Sequence, residues 1–143
     1  MSGNKIAFVT GGGTGIGSGI AIQFAKAGYD VAISYYGSAD GAAQTVKNIE
    51  MCGQKGLAIS ADVSKINDID FMFDEVLSRF GRLDVFVNNA GITEKSDFLN
   101  TTPELFDKIC AVDYRGAFFC IQKAGRIMAD MHIHGNIILI SSN

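Results

Sequence analysis

Proline occurs once in the 143 residues, charged side chains make up only 19%, and nowhere do 18 apolar residues follow one another. A single proline in a chain that is 48% hydrophobic excludes collagen-like and disordered classes. The missing apolar run excludes a membrane-spanning helix. The start, Met1-Ser2-Gly3-Asn4-Lys5, leads into a short strand-like stretch, with none of the apolar core of a signal peptide. Basic clusters are lacking too: 12 Lys and Arg face 15 Asp and Glu, and the net charge of −3 leaves no stripe for nucleic-acid phosphates. Cys52, Cys110 and Cys120 are odd in number and have no Cys-x-x-Cys spacing. That argues against a disulfide framework or a metal site, and for reduced thiols in a cytoplasmic protein.

What is present suits one domain over 1–143, able to hide roughly 68–70% of the surface of its unfolded chain. Short apolar runs alternate with amphipathic stretches. Ile6–Val9, Val31–Ile33, Leu57–Ile59, Leu83–Val87 and Asn136–Ile140 read as five strands. Ile16, Ile20, Phe24 and Ala27 mark the apolar face of a first helix stopped by Gly28; Ala42, Val46 and Ile49 mark a second, ended at Gly53. Ile66, Ile69, Phe73, Val76 and Phe80 line a third, with Ser64 as its cap and Gly81 as its stop. Thr102-Pro103-Glu104 opens a long helical segment that reaches about Met131. Such alternation builds a doubly wound α/β domain of Rossmann type, a parallel sheet with helices on both faces.

The first strand runs into Thr10-Gly11-Gly12-Gly13-Thr14-Gly15-Ile16-Gly17. Glycines at a strand-to-helix turn allow positive φ and close approach of the backbone to a ligand. The helix behind them offers unpaired N–H groups and the positive end of its dipole to a pyrophosphate. Gly-x-Gly-x-x-Gly spacing is absent, and no Gly-Lys-Ser/Thr follows to make a Walker loop. A tight turn without a ligand is the poorer reading, because five glycines in seven residues cost backbone entropy that a simple turn avoids.

On these residues the chain resembles the short-chain dehydrogenase/reductase family. Asp62-Val63 after the third strand, Asn88-Asn89-Ala90-Gly91 after the fourth and Ile140-Ser141-Ser142 after the fifth match family motifs in order. The resemblance runs from Lys5 to Asn143. It implies reversible hydride transfer between NAD(P)(H) and a small carbonyl or alcohol substrate. By the same likeness, Gly11, Ile16 and Gly17 surround the pyrophosphate, with Gly15 in the same loop. Asp62 and Val63 hold the adenine, Asn88, Ala90 and Gly91 meet a ribose or its loop, and Ser142 polarises the substrate oxygen. All these positions lie at the carboxyl edge of the strands, where open α/β sheets bind ligands. The structural alternative for Asn88 and Asn89, side-chain amides that tie neighbouring backbone, stays open beside this.

Two departures stand out. The family's Val-Asn-x-x-Gly stretch reads Val112-Asp113-Tyr114-Arg115-Gly116 here, so Asp113 takes the place of an Asn whose main-chain carbonyl serves a proton relay. The family's Tyr with Lys four residues on is missing: Tyr29, Tyr35, Tyr36 and Tyr114 have no such partner, and the chain ends one residue after Ser142. This leaves a second reading, a non-catalytic dinucleotide-binding module or truncated relic. A methyltransferase of similar fold would require four ordered motifs to be accidental. For the cofactor, Tyr35 occupies the position where NAD-preferring relatives carry Asp, and Thr14 that where many NADP-preferring relatives carry a basic residue. NADP is the preferred expectation, with NAD the alternative; Ser34 and Ser38 offer only weak phosphate contacts.

Other features read as structural. His132 and His134 suit a solvated helix end, and Asp68, Asp70, Asp74 and Glu75 a solvated face. The aromatics from Phe98 to Phe119 read as core or as a helix-pair interface, and homo-oligomers are expected by resemblance. Ile137–Ile140 is expected to form an unpaired apolar edge that promotes association.

Overall fold

The computed structural model describes residues 3–142. Five parallel strands, β1 (Ile6–Val9), β2 (Asp30–Tyr35), β3 (Gly56–Ser60), β4 (Val85–Asn88) and β5 (Asn136–Leu139), form one sheet in the order β3-β2-β1-β4-β5. β1 lies at its centre, with Ala7 opposite Val31 on one side and Val85 on the other. The fully buried runs of β1 and β4 reflect a sheet covered on both faces.

α1 (Gly15–Lys26) and α2 (Ala39–Met51) cover one face, burying Val9, Val31, Ile33 and Val87. α3 (Ile66–Phe80) and α5 (Ala117–Asp130) cover the other, around Phe8, Phe73 and Phe86. These three rings pack at centroid separations of 5.1, 5.2 and 5.6 Å in edge-on and tilted arrangements that suit aromatic quadrupoles. Cys120 is buried on this side, where desolvation pushes its thiol up to about 12. The described cysteines are all free thiols.

Several expected details come out differently. In α1 the buried residues are Gly17, Ala21 and Ala25, while Ile16 is 69% exposed at the sheet edge. Small residues let the helix axis come close to the sheet, so the larger Ile20 and Phe24 flank the contact. Ser64 does not cap α3; its hydroxyl donates to Asp62 Oδ1 at 2.7 Å, and Lys65 occupies the cap position. The long helix is interrupted. α4 (Pro103–Ile109) starts as expected, with Thr102 Oγ1 accepting from the Leu105 N–H, but Cys110–Gly116 is a π-helical turn before α5. The acidic face of α3 is not merely solvated: Asp68 accepts the Asp62 N–H and Asp70 pairs with Lys123 of α5. Phe98, Phe106 and Phe118 are exposed, so they belong to no core of this chain. His132 and His134 are exposed beyond α5, His132 at a φ of 54°.

Candidate functional site

The carboxyl ends of β1 to β4 open into a cleft of roughly 380 Å³. That volume lies within the range of small-molecule and cofactor sites. Its floor is the glycine turn between β1 and α1. Gly11 and Gly15 have positive φ, 65° and 56°, a region that β-carbons disfavour. Gly17 faces back onto the turn so closely that a Cβ there would stand 2.2 Å from the Gly11 carbonyl oxygen. Thr14, extended at φ −149°, makes no side-chain cap for α1, which leaves its first-turn N–H groups without a side-chain acceptor where Ile16 and Gly17 line the cleft.

The opposite wall is the loop after β4. Asn89 Nδ2 donates to the carbonyls of Thr10 at 3.0 Å and Gly11 at 3.1 Å. The Thr10 hydroxyl accepts the N–H groups of both Asn89 and Ala90 at 3.0 Å. The two cleft-forming loops are thus latched together by one amide and one hydroxyl. Of the two asparagines, Asn89 lines the cleft; Asn88 is buried in β4, and its carbonyl accepts the Ile140 N–H beside β5. Strand pairing engages the Asn88 backbone, and Asn88 is not among the cleft-lining residues.

At the far end, Asp62 and Val63 line the cleft where β3 ends. Burial alone would raise the Asp62 carboxyl, but bonds from the Ser64 hydroxyl and N–H, with Lys65 at 3.6 Å, outweigh it and hold it below the ordinary carboxylate range. Tyr35, packed against the α1–α2 side, and Tyr36, 74% exposed, form the wall at the end of β2 together with Ser34 and Ser38. Asp62 is the one carboxylate among the described lining residues.

Gly11, Thr14, Ile16, Gly17, Tyr35, Asp62, Val63, Ala90 and Gly91 therefore meet in one cleft, while Gly15, Asn88, Asp113 and Ser142 are not among its lining. Asp113 stands behind the wall, its Oδ1 accepting the Ile92 N–H at 2.8 Å. Ser142 follows the end of β5. Tyr36, Ala61, Ile92 and Val112 line the cleft without having been expected as site residues. Tyr36 was readable as the next residue of the same strand end, whereas Ile92 and Val112 carry no chemical signal.

Comparison with known proteins agrees with this geometry. A family model described as short chain dehydrogenase matches residues 5–143. The 3-oxoacyl-[acyl-carrier-protein] reductase FabG of Staphylococcus epidermidis is 43% identical over 120 residues, 84% of this chain and 49% of that protein. Its counterpart in Staphylococcus aureus is 41% identical over 142 residues, 99% of this chain and 57% of that one. Among solved structures, acetoin dehydrogenase from Enterobacter cloacae superposes with a TM-score of 0.92 at 35% identity, covering 99% of this chain and 56% of its own. The chain spans about half the length of the curated relatives it matches.

Proposed function

The chain belongs to the short-chain dehydrogenase family, and from that premise we propose that it forms the cofactor-holding part of an NADP(H)-dependent oxidoreductase acting on a small carbonyl or alcohol. The observation that carries the reading is the glycine cradle, where a Cβ on Gly17 would collide with the Gly11 carbonyl. Such a floor, with uncapped helix N–H groups above it, fits a pyrophosphate. The backbone at Gly11 to Gly17 binds that group. Val63 and Asp62 take the adenine, and Ala90 and Gly91 pass beside a ribose. When bound, the nicotinamide supplies or accepts the hydride. Ser142 polarises the substrate oxygen, in a role carried over by family likeness.

NADP is favoured over NAD because the wall formed by Thr14, Ser34, Tyr35, Tyr36 and Ser38 contains no carboxylate to repel a 2′-phosphate, Asp62 belonging to the neighbouring end of β3. The names of the FabG relatives make an acyl-thioester ketone one candidate substrate and that of the acetoin dehydrogenase a small hydroxyketone another. Three free thiols fit a reducing, cytoplasmic setting. Exposed Phe106, Tyr114 and Phe118 supply an apolar face for assembly of copies. No helix among the described residues is long and apolar enough to cross a membrane.

Calorimetric titration of the chain with NADPH and, separately, NADH tests this reading. Saturable binding with NADPH the tighter ligand is expected. Tighter NADH binding would overturn the cofactor choice, and no binding by either would overturn the dinucleotide site. A turnover assay then separates an oxidoreductase from a binding module, since none of the four tyrosines has Lys four residues on.

A further inference from the structure

The π-helical turn Cys110–Gly116 lines the cleft through Val112 and contacts the loops at both ends of it through its last residues. π turns are rare, occur mostly as single turns inside α-helices, and are frequent at functional sites. Here, three of the last four residues grip backbone that lines the cleft or directly adjoins its lining. Asp113 Oδ1 accepts the Ile92 N–H at 2.8 Å and lies 3.4 Å from where a Gly91 Cβ would stand. Arg115 Nη1 donates to the Ser64 carbonyl at 3.1 Å, with its guanidinium 5.6 Å above the Phe119 ring. Gly116 is buried against Val63: a Cβ on it would stand 2.5 Å from the Val63 carbonyl oxygen and 3.2 Å from its carbon. Both of these atoms are backbone, so a side chain at 116 would have to move the Val63 peptide itself.

We infer that this turn is a positioning device for the cofactor cleft, in which Arg115 and Gly116 set the Val63–Ser64 backbone and Asp113 sets the Gly91–Ile92 backbone. None of the three lines the cleft, so each acts through the loop it holds. The inference rests on the dinucleotide reading above for what the loops contact: Val63 at the adenine end and Gly91 at the ribose of the other half. Arg115 and Gly116 thereby control affinity for the adenine half from outside the pocket. Asp113 controls only the other half.

Amide hydrogen exchange on the ligand-free chain provides a readout independent of any ligand. The Ser64 and Lys65 N–H groups, bonded to Asp62 at 3.0 and 2.9 Å, report on the adenine loop, and the Ile92 N–H on the opposite one. Arg115→Ala is expected to speed exchange at 64 and 65 about two- to twelvefold, the range of one hydrogen bond, with Ile92 unchanged. The same variant should weaken adenosine 2′,5′-bisphosphate and NADPH by equal factors, and Arg115→Lys, which keeps a donor, should restore most of the loss. Asp113→Ala should weaken NADPH and leave the adenine fragment within twofold. Gly116→Ala should act like Arg115→Ala and more strongly; if it fails to fold, the Arg115 pair decides. Unchanged exchange at 64 and 65 in Arg115→Ala would overturn the inference, as would equal acceleration in the Phe8 and Phe86 strands, a sign of general destabilisation. If the unaltered chain binds neither nucleotide, the dinucleotide reading fails, while the exchange result still decides whether the turn holds the loop.

Discussion

Asn89 and Thr10 join the two loops of the cleft through groups that have no other reason to meet. Asn89 Nδ2 satisfies the Thr10 and Gly11 carbonyls, and Thr10 Oγ1 satisfies two N–H groups in return. Asn89→Ala leaves both carbonyls without that donor and should lower stability by about 1–3 kcal/mol, read as a lower urea midpoint, together with weaker NADPH binding. An unchanged midpoint would remove Asn89 from the latch. Asp84, at the opposite edge of the sheet, makes a pH-dependent contribution. Burial tends to raise its carboxyl, but the Arg82 guanidinium at 2.6 Å and the Ile6 N–H at 2.8 Å hold it below the ordinary range. A depressed native value adds stability above the unfolded carboxylate pKa of about 3.9 and loses it as pH falls through the native value. The gap in urea midpoint between the unaltered chain and Asp84→Asn should therefore be widest near neutrality and close below about pH 4. A gap that stays constant from neutral to acid would contradict this ion pair. At this scale, the chemistry-bearing positions Gly11, Gly17 and Asp62 were legible because each residue type has a specific physical use. Asn88 and Asn89 were not separable from sequence: adjacent residues of one type differ only in which face of the strand end they occupy.

The elements were legible wherever a periodic pattern met a stop. Gly81 ends α3 in the left-handed region at φ 73°, and Thr102 with Pro103 starts α4, because these residues act through local backbone chemistry alone. The apolar stripe of α1 misled for the opposite reason. Its closest contacts are made by Gly17, Ala21 and Ala25, whose value is their small size, not their hydrophobicity. The π turn at 110–116 had no local signature. It is set by contacts with Val63, Ser64 and Ile92, which lie between 21 and 53 residues away in the chain. β5 shows a third case: it reads as an apolar strand and is one, yet it lies at the sheet edge, paired with β4 alone, and Ile138 and Leu139 stay 41% and 57% exposed. An exposed apolar strand edge recruits further strands. Leu139→Lys should reduce aggregation of the purified chain, measured as turbidity on warming; equal turbidity would exonerate the edge.

For the molecule as a whole, large apolar side chains stay exposed both on β5 and on α4 and α5, among them Phe106, Phe118 and Leu139, and such surface favours association. Light scattering on the unaltered chain should therefore show species larger than a monomer, and a monodisperse monomer would contradict that assembly. Doubly wound architecture was legible throughout, since five apolar runs separated by helical patterns leave few other topologies.

The central position of β1 carries a consequence for synthesis. One edge of β1 is occupied by β2, close behind it, but the other waits for β4, with Ala7 facing Val85. At translation speeds of about 5–20 residues per second, roughly 3–11 s separate the appearance of these two partners. During that interval the nascent chain can shelter only half of its innermost strand. Closure of the Thr10–Asn89 latch thus marks the point at which both flanks of that strand are sheltered.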